Sequence, residues 1–203
     1  DSIVCLQLVG RARQAGWLIE PRDVFQHQSL EALARVARPL AEEGGEATPD
    51  QAAVTGEMPL LPIHRTFFEE FGPLNHWNQA MLLTPRLSLG RSLDWSHVER
   101  AVTALVTHHD ALRLRFLTDG ETGKADHGPA AEDSLWRREA ADTTALTEIC
   151  EEAQRSLEIA EGRLVRAVGV DLADGGQRLL LVIHHLAVDG VSWRVIQEDL
   201  ETL

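Results

Sequence analysis

The stretch Arg178-Leu179-Leu180-Leu181-Val182-Ile183-His184-His185-Leu186-Ala187-Val188-Asp189-Gly190-Val191-Ser192-Trp193-Arg194 decides the fold of this 203-residue chain. Leu179 to Ile183 are apolar at every position, so both faces are covered and the segment reads as a buried central strand. Two histidines follow where that strand ends. Side chains alternate across a strand, so His184 and His185 point to opposite faces, and one of them meets the core or an internal channel. Asp189-Gly190 suits a tight loop returning the chain to a helix, whose apolar stripe is Trp193, Ile196, Leu200 and Leu203. A histidine held at the end of a rigid strand is kept in one orientation and can act as a base near neutral pH. Spacing alone leaves a second reading open: two satisfied strand-end histidines and an aspartate that caps a helix. Metal binding fits poorly, because no third or fourth ligand stands nearby.

Working upstream, Leu164 to Leu172 reads as a partner strand, joined to the first by a hairpin through Ala173-Asp174-Gly175-Gly176. Leu146, Ile149, Cys150, Ala153 and Leu157 make one helical stripe. Leu112, Leu114 and Phe116 alternate with Arg113 and Arg115 as a half-buried strand, followed by a turn at Asp119-Gly120. Ser96 with Glu99 forms a capping box before Val98, Val102, Leu105 and Val106. Trp77 to Leu83 reads as a strand. From Pro59 onward the pattern is therefore mixed α and β. Residues 41–58 are rich in Gly, Pro, Glu and Ala with few large apolar side chains, a linker composition. Residues 1–40 read as small helices: one to Ala15 stopped by Gly16, a short turn opened by Pro21, and a third capped by Ser29. Together they make part of an all-α bundle that buries too little to be comfortable alone.

Lys plus Arg number 19 against 32 Asp plus Glu, a net charge of -13. That balance argues against nucleic acid, where phosphates need a basic footprint. No apolar run is long enough to span a bilayer, and no charged-then-apolar leader opens the chain, so no membrane association and a cytoplasmic location are expected. Cys5 and Cys150 are far apart without metal-type spacing and read as reduced core thiols. Helical periodicity begins at once and ends mid-stripe, so both ends read as cut.

His184-His185-x-x-x-Asp189-Gly190 resembles the HHxxxDG signature of the condensation-domain superfamily of nonribosomal peptide synthetases, which has a chloramphenicol-acetyltransferase-like fold. Val191-Ser192-Trp193-Arg194 and Glu198-Asp199-Leu200 are similar to its epimerization branch. Three further stretches agree: Pro59-Leu60-Leu61-Pro62-Ile63-His64 with Phe67-Phe68; Asn75-His76-Trp77-Asn78-Gln79; and His108-His109-Asp110-Ala111-Leu112-Arg113-Leu114-Arg115-Phe116. The resemblance implies an α+β class, with 59–203 as the N-terminal lobe of an epimerization domain, a mixed sheet with flanking helices. It implies that His185 moves a proton at the α-carbon of a thioester-bound residue and that His184 packs. It implies that Asp189 is architectural and ion-paired to an arginine, Arg113 or Arg115, with Gly190, Ser192 and Trp193 setting the shape of the site. Epimerization domains carry an opposing glutamate on a second lobe, which this chain lacks. A condensation domain using the same histidine to form peptide bonds is the nearest rival. A catalytically silent docking module of the same fold is another.

Asp1-Ser2-Ile3 resembles the end of the carrier-domain motif GG(H/D)S(L/I), whose serine receives 4'-phosphopantetheine. Leu6-Gln7-Leu8-Val9, Arg11-Ala12-Arg13, Pro21-Arg22-Asp23-Val24-Phe25 and Leu30-x-x-Leu33-Ala34 are similar to the rest of a peptidyl carrier domain. That resemblance makes 1–40 the C-terminal part of a carrier, with 4'-phosphopantetheine on Ser2. The partners implied are a carrier-bound aminoacyl or peptidyl thioester and adjacent adenylation and condensation domains. A thioester acidifies its α-proton, so a neutral imidazole within hydrogen-bond reach can remove it. Backbone N–H groups or the helix of the 190s are expected to steady the developing oxyanion.

Overall fold

In the computed structural model, which describes residues 2–40, 52–85, 92–118, 123–130 and 133–202, the chain divides into two units, 1–52 and 53–203. In the first, α1 (Ser2–Gln14) gives way to Gly16, whose φ of 83° is left-handed and open to glycine without strain. The chain then runs through β1 (Trp17–Leu18), α2 (Pro21–Gln26), α3 (Leu30–Val36) and β2 (Arg38–Pro39). Pro21 stands in the first turn of α2, and the Ser29 hydroxyl accepts the Ala32 N–H at 3.2 Å to cap α3, as the sequence predicts. An antiparallel ladder pairs Trp17 with Pro39 and Leu18 with Arg38, so the unit is not wholly α. Two residues per strand are too few for an alternation to be read. Among the described residues of this unit little is buried beyond Cys5, Ile19 and Leu33, while Leu30 is 84% exposed.

The second unit comprises β3 (Gly56–Pro59), α4 (Pro62–Phe71), β4 (Asn78–Leu83), α5 (Trp95–His108), a 3-10 turn (Asp110–Arg113), β5 (Leu114–Thr118), β6 (Gly123–His127), β7 (Leu135–Ala140), α6 (Thr143–Arg155), β8 (Val165–Leu172), β9 (Gln177–His184) and α7 (Ser192–Thr202). One sheet has the order β3-β6-β5 and the other β4-β9-β8-β7. All pairings are antiparallel except β7 with β8, which α6 connects as a parallel crossover. This is the mixed sheet with flanking helices that the resemblance implies. The run Leu179–Ile183 is indeed interior: β9 lies between β4 and β8.

Alternation along β9 sorts the core into two layers. Leu179, Leu181 and Ile183 join Val165 and Ala167 of β8 under Trp95, Val98, Val102 and Leu105 of α5 and Ile196 of α7. Leu180 and Val182 join Val168 and Val170 under Ile149 and Ala153 of α6. A third cluster, around Leu60, Phe116, Ala125, Ile159 and Leu164, lines the three-stranded sheet.

Several local expectations change. α5 is capped by Asp94, whose carboxylate accepts the Ser96 N–H at 2.9 Å, and not by a Ser96–Glu99 box, because the helix begins two residues earlier than such a box would start it. Asp110–Arg113 coil into the 3-10 turn, which puts Arg113 ahead of the strand rather than in it. Residues 56–58, assigned to the linker, belong to β3 and pair with 125–127 of β6. The 41–51 part of the linker, Asp1, the Asp119-Gly120 turn and Leu203 lie outside the described residues. Among the described residues no helix is long and apolar enough to cross a membrane.

Candidate functional site

The strand end separates the two histidines as alternation requires. His184 follows Leu180 and Val182 into the interior and is fully buried. Its Nε2–H donates to the Leu74 carbonyl at 3.0 Å, its Nδ1 accepts the Leu186 N–H at 3.2 Å, and the Phe67 ring meets it edge-on at 5.9 Å. Burial lowers its proton affinity below the ordinary histidine value, against the opposing pull of the Leu74 carbonyl. Neutral, with both nitrogens engaged, His184 is a packing residue.

His185 follows Leu181 and Ile183 toward the α5/α7 side and is only partly buried. Its backbone N–H extends the ladder to the Trp77 carbonyl at 2.9 Å, and the Trp77 ring lies against the imidazole at 5.2 Å. Trp77 is in turn stacked on Phe67 at 4.5 Å, so an aromatic wall backs the ring. The Val188 carbonyl lies 2.8 Å from Nδ1. A carbonyl only accepts, so Nδ1 carries a proton, which in the neutral ring leaves the lone pair on Nε2. Gln79 approaches that lone pair through its amide nitrogen at 3.3 Å and accepts the Trp193 indole N–H at 2.6 Å. The residue expected to move a proton therefore presents a basic nitrogen away from its anchored side.

Asp189 takes the capping role that spacing left open. Its Oδ1 accepts the N–H of Val191 at 3.0 Å, the N–H of Ser192 at 2.8 Å and the Ser192 hydroxyl at 2.7 Å, capping α7. The Ser192 backbone N–H, then its hydroxyl, hold the carboxyl below the usual aspartate range. The expected ion pair to an arginine is not what forms. Arg113, buried, pairs with Asp110 and donates to the Gly128 carbonyl at 2.8 Å; Arg115 pairs with Asp126 across β5 and β6. Both arginines find a carboxylate close in sequence, and both serve the three-stranded sheet. The first N–H groups of α7 are spent as well, since Trp193 donates to the Asp189 carbonyl at 3.2 Å and Arg194 to that of Val191 at 3.1 Å. The oxyanion role expected of this helix end is thus closed to it. Gly190, expected to set shape, lies outside the left-handed region, and a Cβ there would meet nothing within 4 Å.

The other family-like stretches divide by alternation too. Asn75 donates to Glu158 at 2.8 Å and accepts the Ile159 N–H at 3.0 Å, and Asn78 donates to the Gln154 carbonyl at 3.0 Å. These tie the entry of β4 to the end of α6, while Trp77 and Gln79 face His185. His64 is buried against Phe116 at 5.0 Å and loses proton affinity by burial, a backbone hydrogen bond with Leu186 acting the other way. His109 bonds Asp199 of α7 at 2.7 Å. Gln79 and the Val188 carbonyl carry no role that the sequence alone reveals; only the register of β4 on β9 and the turn after it bring them to His185. Ser2 is the first residue of α1, and its side chain lies outside the described residues. Among the described residues no cluster of His, Cys, Asp and Glu could hold a metal ion.

A family model described as the condensation domain matches residues 54–203. One of the linear gramicidin synthase polypeptides of Brevibacillus parabrevis is 41% identical over 213 aligned residues, covering 99% of this chain and 3% of that protein. Among solved structures, the epimerization domain from the third module of tyrocidine synthetase B is 31% identical with a TM-score of 0.66, over 75% of this chain and 35% of that one. The condensation domain from Monacolin K polyketide synthase MokA gives a TM-score of 0.61 at 16% identity, over 73% of this chain and 34% of that one, a likeness of fold alone. The chain thus spans about a third of each solved structure and a small fraction of the synthase.

Proposed function

Because the chain belongs to the condensation-domain family, we propose that residues 59–203 are the histidine-bearing lobe of an epimerization domain acting on an L-aminoacyl or peptidyl thioester. The observation that carries the reading is the anchored ring of His185: the residue is partly buried, Nδ1–H is held by the Val188 carbonyl, and Nε2 meets the Gln79 amide only at a long 3.3 Å. The α-proton of the bound residue passes to Nε2, and the electron pair of the broken C–H bond moves into the thioester carbonyl. Reprotonation from the other face inverts the centre and needs a second acid, which the resemblance assigns to a second lobe. His184 and Asp189 act in this reading as fixed supports, one under the strand end and one at the start of α7. Support for epimerization over peptide-bond formation comes from the Val191-Ser192-Trp193-Arg194 stretch and from 31% identity to an epimerization domain.

The same reading takes 1–40 as the C-terminal part of a peptidyl carrier domain, with Ser2 bearing 4'-phosphopantetheine. Ser2 opens a 13-residue helix, where the unpaired N–H groups of the first turn favour a phosphate. The arm, when attached, tethers the substrate and makes its encounter with His185 intramolecular. Adjacent adenylation and condensation domains are the partners of such a module, and the cytoplasm its setting.

The test follows deuterium wash-in at the α-carbon, in the synthetase polypeptide that carries this sequence and with no acceptor amine present. Exchange is expected, with His185→Ala slowing it about 100-fold or more. Exchange that survives His185→Ala removes His185 as the base. Amide formation on adding an amine, with no exchange before it, moves the domain to the peptide-bond-forming branch; binding alone makes it a docking module. Intact mass after incubation with a phosphopantetheinyl transferase tests Ser2, with Ser2→Ala as the variant that stays unmodified.

A further inference from the structure

Four residues along a helix advance about 6 Å and two along a strand about 6.6 Å, so α7 and β4 can face each other in step. They do. Trp193 meets Gln79, and one helical turn later Gln197 meets Met81 at 2.6 Å, both pairs on the α5/α7 side of the sheet. Gln79 sits opposite Ile183 on β9 and therefore diagonal to His185 on the same face.

The polarity of the resulting chain is forced from both ends. An indole N–H can only donate, so Trp193 holds the amide oxygen of Gln79 and leaves its NH2 group toward His185 Nε2, 3.3 Å away. A backbone carbonyl can only accept, so Val188 holds His185 Nδ1–H at 2.8 Å. Donation runs one way, from Trp193 through Gln79 and His185 to Val188. We infer that Gln79 and Trp193 are positioning residues that lock His185 in the tautomer carrying its lone pair on Nε2. The inference rests on His185 being the base.

A reversed amide shows what the lock prevents. Its oxygen would face Nε2 and call for an N–H there. With Val188 claiming the other nitrogen, only the imidazolium satisfies both, and an imidazolium is no base. Trp193 closes that route by claiming the oxygen. The lock ends with proton transfer. Once Nε2 carries the substrate's proton, it and the Gln79 NH2 group are two donors face to face, so the Gln79 contact lasts only while Nε2 holds its lone pair. At 3.3 Å the contact is a long one, which an arriving α-carbon can displace.

The test reads the ring directly, without substrate, so it can fail while the epimerase reading stands, and the reverse. In the full chain with 15N-labelled histidine, His185 signals are assigned by their loss in His185→Gln. The expected native pattern for the neutral ring, read in mildly alkaline buffer, is a single form, pyrrole-like at Nδ1 and pyridine-like at Nε2. Gln79→Glu, close to isosteric, places a carboxylate against Nε2 and should move that signal to pyrrole-like, as in an imidazolium. Trp193→Phe should bring up a second ring form. Met81→Leu, which disturbs only the neighbouring pair, should leave the native pattern. Native ring signals in Gln79→Glu, with a native melting curve, overturn the inference even if Trp193→Phe does not fold. So does a change in Met81→Leu as large as that in Gln79→Glu.

Discussion

Asp189 shows how much one carboxylate oxygen can organise. Three donors converge on Oδ1, and they lower the carboxyl's proton affinity, the Ser192 N–H foremost. A native carboxyl that ionises more readily than its unfolded counterpart stabilises the fold fully above the unfolded value, about 3.9, and loses that contribution as pH falls through the lower native one. Asp189→Ala should therefore cost about 1 kcal/mol at neutral pH, measured by urea unfolding, and the difference from wild type should narrow in acid. A cost that grows on acidification would exclude the cap. Gly190, the next residue, carries the opposite expectation. With open space and an ordinary φ, Gly190→Ala should leave the stability within about 0.5 kcal/mol of wild type in the same urea titration. A larger loss would mean that the loop needs glycine for a reason the backbone does not display.

At the scale of elements, what was legible followed from period alone. The all-apolar run 179–183 announced an interior strand, and the histidine pair announced opposite faces, because both depend only on neighbours in sequence. Register was not legible. Which residue of β4 meets His185 depends on how two strands 100 residues apart align, so Gln79 stood out only as part of a family-like stretch. Asp189 failed as an ion pair for a related reason: an arginine's partner is set by distance in space, and Arg113 and Arg115 each had a nearer carboxylate. β7 carries no strand signature in the sequence, because Leu135-Trp136-Arg137-Arg138-Glu139-Ala140 is too charged to alternate cleanly, as an edge strand can be. Small residues were equally silent. Gly169 of β8 leaves room for α5: a Cβ there would stand 2.6 Å from the Trp95 ring, whose indole N–H donates to Asp171 at 3.0 Å. Gly169→Ala should cost about 1–3 kcal/mol by overpacking. That cost should shrink in a Trp95→Leu background, since contacting residues are not additive. Equal costs in both backgrounds would place the strain elsewhere.

Across the whole molecule, stability should follow burial, and burial is uneven. β8 and β9 are interior strands whose residues 165–170 and 179–184 are all buried, with helices on both faces. Among the described residues of 1–52 the buried apolar set is Cys5, Ile19 and Leu33, while Val4, Leu6, Trp17, Phe25 and Leu30 are exposed. Amide hydrogen exchange should therefore be slowest in β8 and β9, close to the rate of global opening of the second unit, and much faster in α1, α2 and α3. Protection in α1 equal to that in β9 would refute this ordering. The prediction bears on the chemistry, because His185 follows directly on β9 and its N–H is the next rung of the ladder to β4. The proposed base, one residue beyond that strand, takes its backbone orientation from the ladder, while its ring is held by the Val188 carbonyl of the turn that follows. Loss of protection confined to 186–190 should then leave the amide of His185 slow, and exchange at that amide matching the loop's rate would detach His185 from the strand that sets its backbone.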